Sequence, residues 1–317
     1  MNFRTAHFQF TLRPRQPLRL PAENAGNAVR GAFGTLFRGM CCPPECADAR
    51  TCQVRTSCPY ARIFDPGPPP GATALSSHES IPRPFVFRVP PLAPALCRPG
   101  ESFPFELLLF GSAIEALPYF VSCFSQLART GFSSGRVPTE LASVAECGPD
   151  AFRREILDAA AGRLLSPELS FGMDDIRRLG PAPADRIGVR FVSPTHLVAG
   201  GRAVEKPEFH HFFKRLRDRV SSLATFYGAG HLEAEFAELG RLAENVRTTR
   251  RQTRWESRNR TSTRTGQRHE LSGFTGECEF AGDLAPFWDW LLLGQYCHVG
   301  KHAVWGNGWY QLAALVP

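Results

Sequence analysis

Lysine is almost absent from this 317-residue chain, standing only at Lys206, Lys214 and Lys301. Its formal charge of +7 is therefore carried by arginine, whose planar fork grips phosphate and stacks on flat rings, so the basic surface suits a polyanion better than a diffuse ammonium coat would. High-GC coding is the bland source of an arginine excess, which leaves position along the chain to decide. Also missing is any apolar core after the charge in the opening MNFRTAHFQF. The most hydrophobic stretch, Leu284 to Tyr296, is short and broken by Asp289. Both absences speak against an export signal and a membrane span, and a soluble cytoplasmic protein is expected. Without export, the ten cysteines do not read as a disulfide framework, and five of them crowd between Cys41 and Cys58, a clustering that points to a metal.

With 43% apolar residues the chain can bury a substantial core, and its length favours two domains. The first strand is expected at Phe3 to Leu12, then a helix from Asn24 to Met40 in which Val29, Phe33, Leu36, Phe37 and Met40 recur at helical spacing. Gly31 and Gly34 leave part of that helix bare enough for another backbone to come close. Asp65 to Ala74, rich in proline and glycine, reads as a surface loop. Strands are expected at Pro84 to Val89, Phe103 to Phe110 and Arg136 to Glu146, with a helix from Ser112 to Arg129. This succession has the β-α-β-β-α-β flavour of a ferredoxin-like unit.

A linker at Gly180 to Ala184 precedes a second unit opening with a strand at Arg186 to Val192. Phe209, Phe212, Phe213, Leu216, Val220, Leu223 and Phe226 then mark an amphipathic helix. A helical stretch from Glu233 to Val246, a hairpin from Arg268 to Phe280, an apolar helix from Leu284 to Cys297 and a strand from Trp309 to Leu315 complete the expectation. The fold class is α+β, two tandem ferredoxin-like (RRM-like) domains at 1–180 and 185–317, with a cysteine-rich insertion at about 41–64 in the first.

Three segments carry chemistry. In HVGKHAVWGNGWY, His298 to Tyr310, the glycines Gly300, Gly306 and Gly308 let backbone amides approach a phosphate chain, and Lys301 supplies charge, so the turn reads as an anion cradle. The run Val246 to Arg268 holds Arg247, Arg250, Arg251, Arg254, Arg258, Arg260, Arg264 and Arg268 against one acid, Glu256. Such crowding is expected to be relieved by an RNA stem lying across it, the bland reading being a solvated loop. Trp255 within it stacks on a base or caps the core, and the residues do not choose. Cys42, Cys46, Cys52 and Cys58, with Cys41 as an alternative first ligand, fit a structural Zn²⁺ held by four thiolates with no open position for catalysis; reduced loop cysteines are the bland reading.

The terminal glycine turn, RGAFG after the first strand, CPYARIF at Cys58 to Phe64, FVSPTHL at Phe191 to Leu197 and the run before SGFTGE together resemble the CRISPR-associated precursor-RNA processing endoribonucleases of the RAMP superfamily. That resemblance covers most of the chain. It implies a positive cleft holding a stem-loop of repeat RNA, and metal-independent cleavage by the substrate's 2′-hydroxyl to a 2′,3′-cyclic phosphate and a 5′-hydroxyl. The reaction needs a base, an acid and a stabiliser of phosphorane charge. Family members carry a catalytic histidine in or just after the first helix, yet none stands here between His7 and His78. Arg30 and Arg38 on that helix, His7, and His298 and His302 beside Lys301 are the remaining catalytic candidates. His210 and His211 read as partly buried helix residues. Two other readings stay open: a non-cleaving RNA-binding subunit of a CRISPR effector complex, and a zinc-dependent DNA-binding regulator.

Overall fold

The structure, a computed structural model, describes residues 3–21, 25–46, 52–67, 81–90, 95–133, 135–180, 185–230, 232, 234–261 and 268–313. It divides into two units, one of Asn2–Phe171 with Ser222–Gly230, the other of Met1, Gly172–Ser221 and His231–Pro317. Both are mixed α and β with antiparallel sheets.

In the first unit β1 (Thr5–Pro14) alternates buried Phe8, Phe10 and Leu12 with half-exposed His7, Gln9 and Thr11, the period-two pattern of a strand with one covered face. It lies between β3 (Phe103–Phe110) and β4 (Thr139–Cys147), with β2 (Phe85–Arg88) and β5 (Arg153–Glu155) outside, in the order β2-β3-β1-β4-β5. Helices α1 (Ala25–Cys41) and α3 (Leu117–Ser125) cover the aromatic face. Phe33 stacks on Phe120 at 4.2 Å and meets Phe87 at 5.6 Å, and Phe10 meets Phe124 at 5.5 Å. Each fully buried ring of this kind stabilises by about 1.5–3 kcal/mol. Gly34 has a packing reason: a Cβ there would sit 2.3 Å from the Phe64 ring, just beyond α2 (Pro59–Ile63). The RGAFG and CPYARIF motifs thus meet in one contact.

The helix expected at Ser112 to Arg129 is broken into a 3-10 turn (Gly111–Ala116), α3 and a short helix Leu127–Thr130. Pro118, in the first turn of α3 and lacking an N–H, marks where the regular helix begins.

The second unit orders its strands β7-β8-β6-β9, with β6 Arg186–Thr195, β7 Arg247–Glu256, β8 Gly273–Ala281 and β9 Tyr310–Ala313. Helices α4 (Phe209–Tyr227) and α5 (Trp288–Cys297) pack on its aromatic face, where Phe212 reaches Phe191 at 5.4 Å and Tyr310 at 4.9 Å. A Cβ at Gly294 would meet Leu216 and the Tyr310 hydroxyl at 2.3 Å, and that hydroxyl donates to the Leu291 carbonyl at 2.6 Å. The helix expected over Glu233 to Val246 shrinks to Phe236–Leu242 and a 3-10 turn, Ala243–Asn245.

Much of the arginine-rich run is strand. Arg247–Glu256 forms β7, an edge strand whose threonines and tryptophan favour extended backbone and whose charges keep the exposed edge from pairing with other chains. Residues 181–184 of the expected linker, most of the Asp65 to Ala74 tract, and Arg264 with its neighbours 262–267 lie outside the described residues. Among the described residues no helix is long and apolar enough to cross a membrane.

Candidate nucleic-acid interface

The glycine turn of the second unit joins α5 to β9 and is fastened to the end of β6. Lys301 donates its backbone N–H to the His196 carbonyl at 2.9 Å, Gly308 to Pro194 at 3.0 Å and Val299 to Gly308 at 2.9 Å. Trp305 and Gly306 donate within the turn, to His302 and Ala303. These five amides are engaged by backbone carbonyls, so they are not donors of the expected cradle. The glycines serve close approach: a Cβ at Gly300 would lie 2.3 Å from the His196 oxygen, and one at Gly308 would lie 1.9 Å from that of Val299. Both adopt positive φ, +77° and +73°, where glycine alone is unstrained. The Lys301 side chain is exposed on this turn.

His298 is fully buried and its Nδ1 lies 2.8 Å from the Asn307 carbonyl, so the expected catalytic role is corrected: this ring shapes the turn and cannot reach a substrate. His302 is half-exposed and sits at φ +67°, a left-handed conformation uncommon for a residue with a Cβ. Beside it stands a residue that sequence reasoning quoted inside FVSPTHL but did not single out. His196 lies 5.9 Å from His302 and 5.8 Å from Trp255, ring to ring, and His302 lies 5.1 Å from Trp305. Its Nδ1 meets the Ser272 carbonyl at 2.9 Å, the contact that fixes a tautomer and leaves Nε2 as acceptor. The only signal in the sequence was a histidine at the end of a strand, with its partners 59 to 106 positions away.

The arginine strand reaches this place with one end only. Trp255 abuts His196, and Arg258 donates its backbone N–H to the Ser272 hydroxyl at 3.1 Å. Arg247 stands exposed roughly 25 Å back along β7. The expectation of eight arginines opposed by a single acid is also corrected. The fold brings Glu208 to Arg251 and Glu279 to Arg250 at 3.1 Å, while Glu256 holds Arg258 at 2.5 Å and Arg254 at 3.5 Å. Burial alone would raise the Glu256 carboxyl, but the Thr275 hydroxyl and these guanidinium groups outweigh it and hold it below the usual carboxylate range. Arg260 and Arg268 fall in a short ladder, Asn259–Thr261 with Arg268–Glu270, whose side chains are not described. His210 and His211 are half-buried at the start of α4, and burial, then the neighbouring His210, pushes the His211 imidazole down.

In the first unit His7 Nε2 lies 3.0 Å from Glu106 Oε2, and Arg88 Nη1 reaches the same oxygen at 2.8 Å. Burial raises the Glu106 carboxyl, but the hydrogen bond from His7 and the charge of Arg88 win and bring it to about 2. Arg30 is buried with its guanidinium 4.5 Å above the Phe64 ring, and Arg38 donates to the Cys46 carbonyl at 2.7 Å. Both fasten α1 to the cysteine segment, Arg30 buried and Arg38 half-exposed. No disulfide joins any of the ten cysteines. Cys41, Cys42, Cys46 and Cys52 are half-exposed and Cys58 is buried. Burial pushes Cys41 up to about 11 and Cys42 to about 12. The donor chemistry suits zinc, but among the described residues no three or more Cys, His, Asp or Glu side chains converge as a metal site.

Residues 3–169 match a family described as an N-terminal domain (AF_1859_N), and residues 189–310 match the family of the CRISPR-associated endoribonuclease Cas6. No curated protein matches the chain. Among solved structures it is similar to a Cas6 product complex, at 16% identity and TM-score 0.57 over 98% of this chain and 99% of that one. Thermus thermophilus Cas6 is similar at 16% identity and TM-score 0.54 over 99% and 100%. A partial Cas6-RT-Cas1–Cas2 complex is similar at 12% identity and TM-score 0.59, over 100% of this chain and 48% of that one. At such identities the likeness is one of fold.

Proposed function

We propose, from the match of residues 189–310 to the family of CRISPR-associated Cas6 endoribonucleases, that the chain binds the repeat stem-loop of CRISPR precursor RNA and cuts it without a catalytic metal. The observation that carries the reading is the convergence, inside the matched unit, of the exposed Lys301, the half-exposed His302 and His196, and the Trp255–Arg258 end of the arginine strand. The strand orders β2-β3-β1-β4 and β7-β8-β6-β9 support the view of two tandem ferredoxin-like domains, 1–180 and 185–317.

In the proposed reaction the 2′-oxygen attacks the adjacent phosphorus and the bond to the 5′-oxygen breaks, giving a 2′,3′-cyclic phosphate and a 5′-hydroxyl. One group takes the 2′-proton, another protonates the leaving oxygen, and a cation stabilises the phosphorane. Lys301 suits the last role. His302 is the catalytic candidate whose exposure favours proton transfer, and His7, tethered to Glu106, is the candidate in the first unit. Incubation with repeat RNA in EDTA is expected to give cyclic-phosphate product, and a 2′-deoxy nucleotide at the scissile position to abolish it. Cleavage of the deoxy substrate would overturn the mechanism.

The non-cleaving reading keeps one specific observation on its side: α1 offers no histidine and its arginines are engaged in packing. Binding without cutting in the same assay would favour it. Other CRISPR proteins are proposed partners, because Cas6 occurs in a complex with RT, Cas1 and Cas2. The proposal also keeps a structural Zn²⁺ at Cys42, Cys46, Cys52 and Cys58, supported by the four free thiols close together in sequence and requiring them to be drawn together. About one zinc per purified chain is expected by elemental analysis; a chain folded without metal would remove zinc from the reading.

A further inference from the structure

We propose that His196, Trp255, His302 and Trp305 form a platform on which one unpaired nucleobase of the substrate stacks. This rests on the RNA-binding reading above and adds to it a subsite for single-stranded nucleotide. The four rings are joined in a continuous cluster, His196 touching Trp255 and His302, and His302 touching Trp305. All four are half-exposed, although aromatic rings brought together in a core of this size are buried, as Phe191, Phe212, Phe274 and Tyr310 of the same unit are.

The chain also holds this cluster at a cost. His302 keeps its left-handed backbone while glycine occupies comparable positions at Gly300, Gly306 and Gly308. A turn needing only the bend would be served better by a fourth glycine, so the ring is what the position retains. The His196 ring is locked by Ser272, and its Nε2 makes no hydrogen bond among the described residues. With the Lys301 ammonium exposed on the same turn, the group offers flat faces for a base, an acceptor or donor for its edge, and a cation for its phosphate. Base-paired RNA hides its faces in the stack, so the matching ligand is an unpaired nucleotide flanking the stem.

The test uses the full-length protein and non-cleavable RNA hairpins, all 2′-deoxy at the cut, in three forms: with a single-stranded flank, with the same flank made abasic, and without a flank. Removing the bases is expected to weaken binding roughly ten- to hundredfold in the native protein. Trp305→Leu is expected to abolish that difference while leaving the flankless hairpin bound as before, and His196→Gln, which keeps a donor for Ser272, to abolish the difference whatever it does to the flankless hairpin. Equal affinity of the native protein for base-bearing and abasic flanks would overturn the platform. Failure to bind any hairpin would instead overturn the RNA-binding reading, and so the two failures are told apart. Should Trp305→Leu not fold, His196→Gln alone decides.

Discussion

His302 is a residue whose backbone and side chain want different things. At φ +67° a residue with a Cβ costs about 1 kcal/mol more than glycine. His302→Gly is therefore expected to raise the urea midpoint, or at least hold it, while His302→Ala does neither, and both should impair RNA cleavage. A glycine variant that unfolds more readily than the alanine variant would contradict this account. Glu106 presents the opposite case, a residue content in its place. Its folded carboxyl lies near 2 against an ordinary 4.5, so it contributes stability above pH 4.5 that is lost as pH falls from there towards 2. The linked contribution is on the order of 3 kcal/mol. Glu106→Gln leaves Arg88 buried beside a neutral partner. The variant should be markedly less stable at pH 7 and closer to native at pH 3, as denaturant titrations at the two pH values would reveal; an equal loss at both would refute the assignment.

At the scale of elements, β7 divides its arginines by position. Arg250 and Arg251 are matched by Glu279 and Glu208 towards the middle of the strand, whereas Arg254 and Arg258 share one carboxylate beside the Trp255–His196 contact. Neutralising Arg254 and Arg258 together is expected to weaken hairpin binding and to lower the salt slope by about 1 to 2. Arg250→Ala with Arg251→Ala should mainly reduce stability. The reverse pattern in salt-dependent binding would show that the RNA follows the strand's middle. This division was not legible in the sequence, because Glu208 and Glu279 stand outside the basic run and reach it only through strand pairing and the start of α4. The elements themselves were legible where periodicity was strong. Phe8, Phe10 and Leu12 announced β1, and the phenylalanines from Phe209 onward announced α4. Periodicity misjudged Ser112 to Arg129, where Pro118 interrupts an apolar run, and it assigned no element to the arginine-rich stretch that forms β7.

At the scale of the whole molecule, each unit is a sheet with helices on one aromatic face. Apolar spacing and glycine placement determined the order of those elements, their core residues and the position of the terminal turn, since burial of apolar surface and the backbone freedom of glycine act within a few residues and are written locally. The same residues also carried the family resemblance. Tertiary structure alone decided which candidates could meet a substrate. It buried His298 against Asn307, laid Arg30 over Phe64, tied five amides of the glycine turn to backbone carbonyls, and brought His196 to Trp255 and His302. Exposure and ring contact depend on where strands distant in sequence come to lie side by side, and no local pattern of residues encodes that.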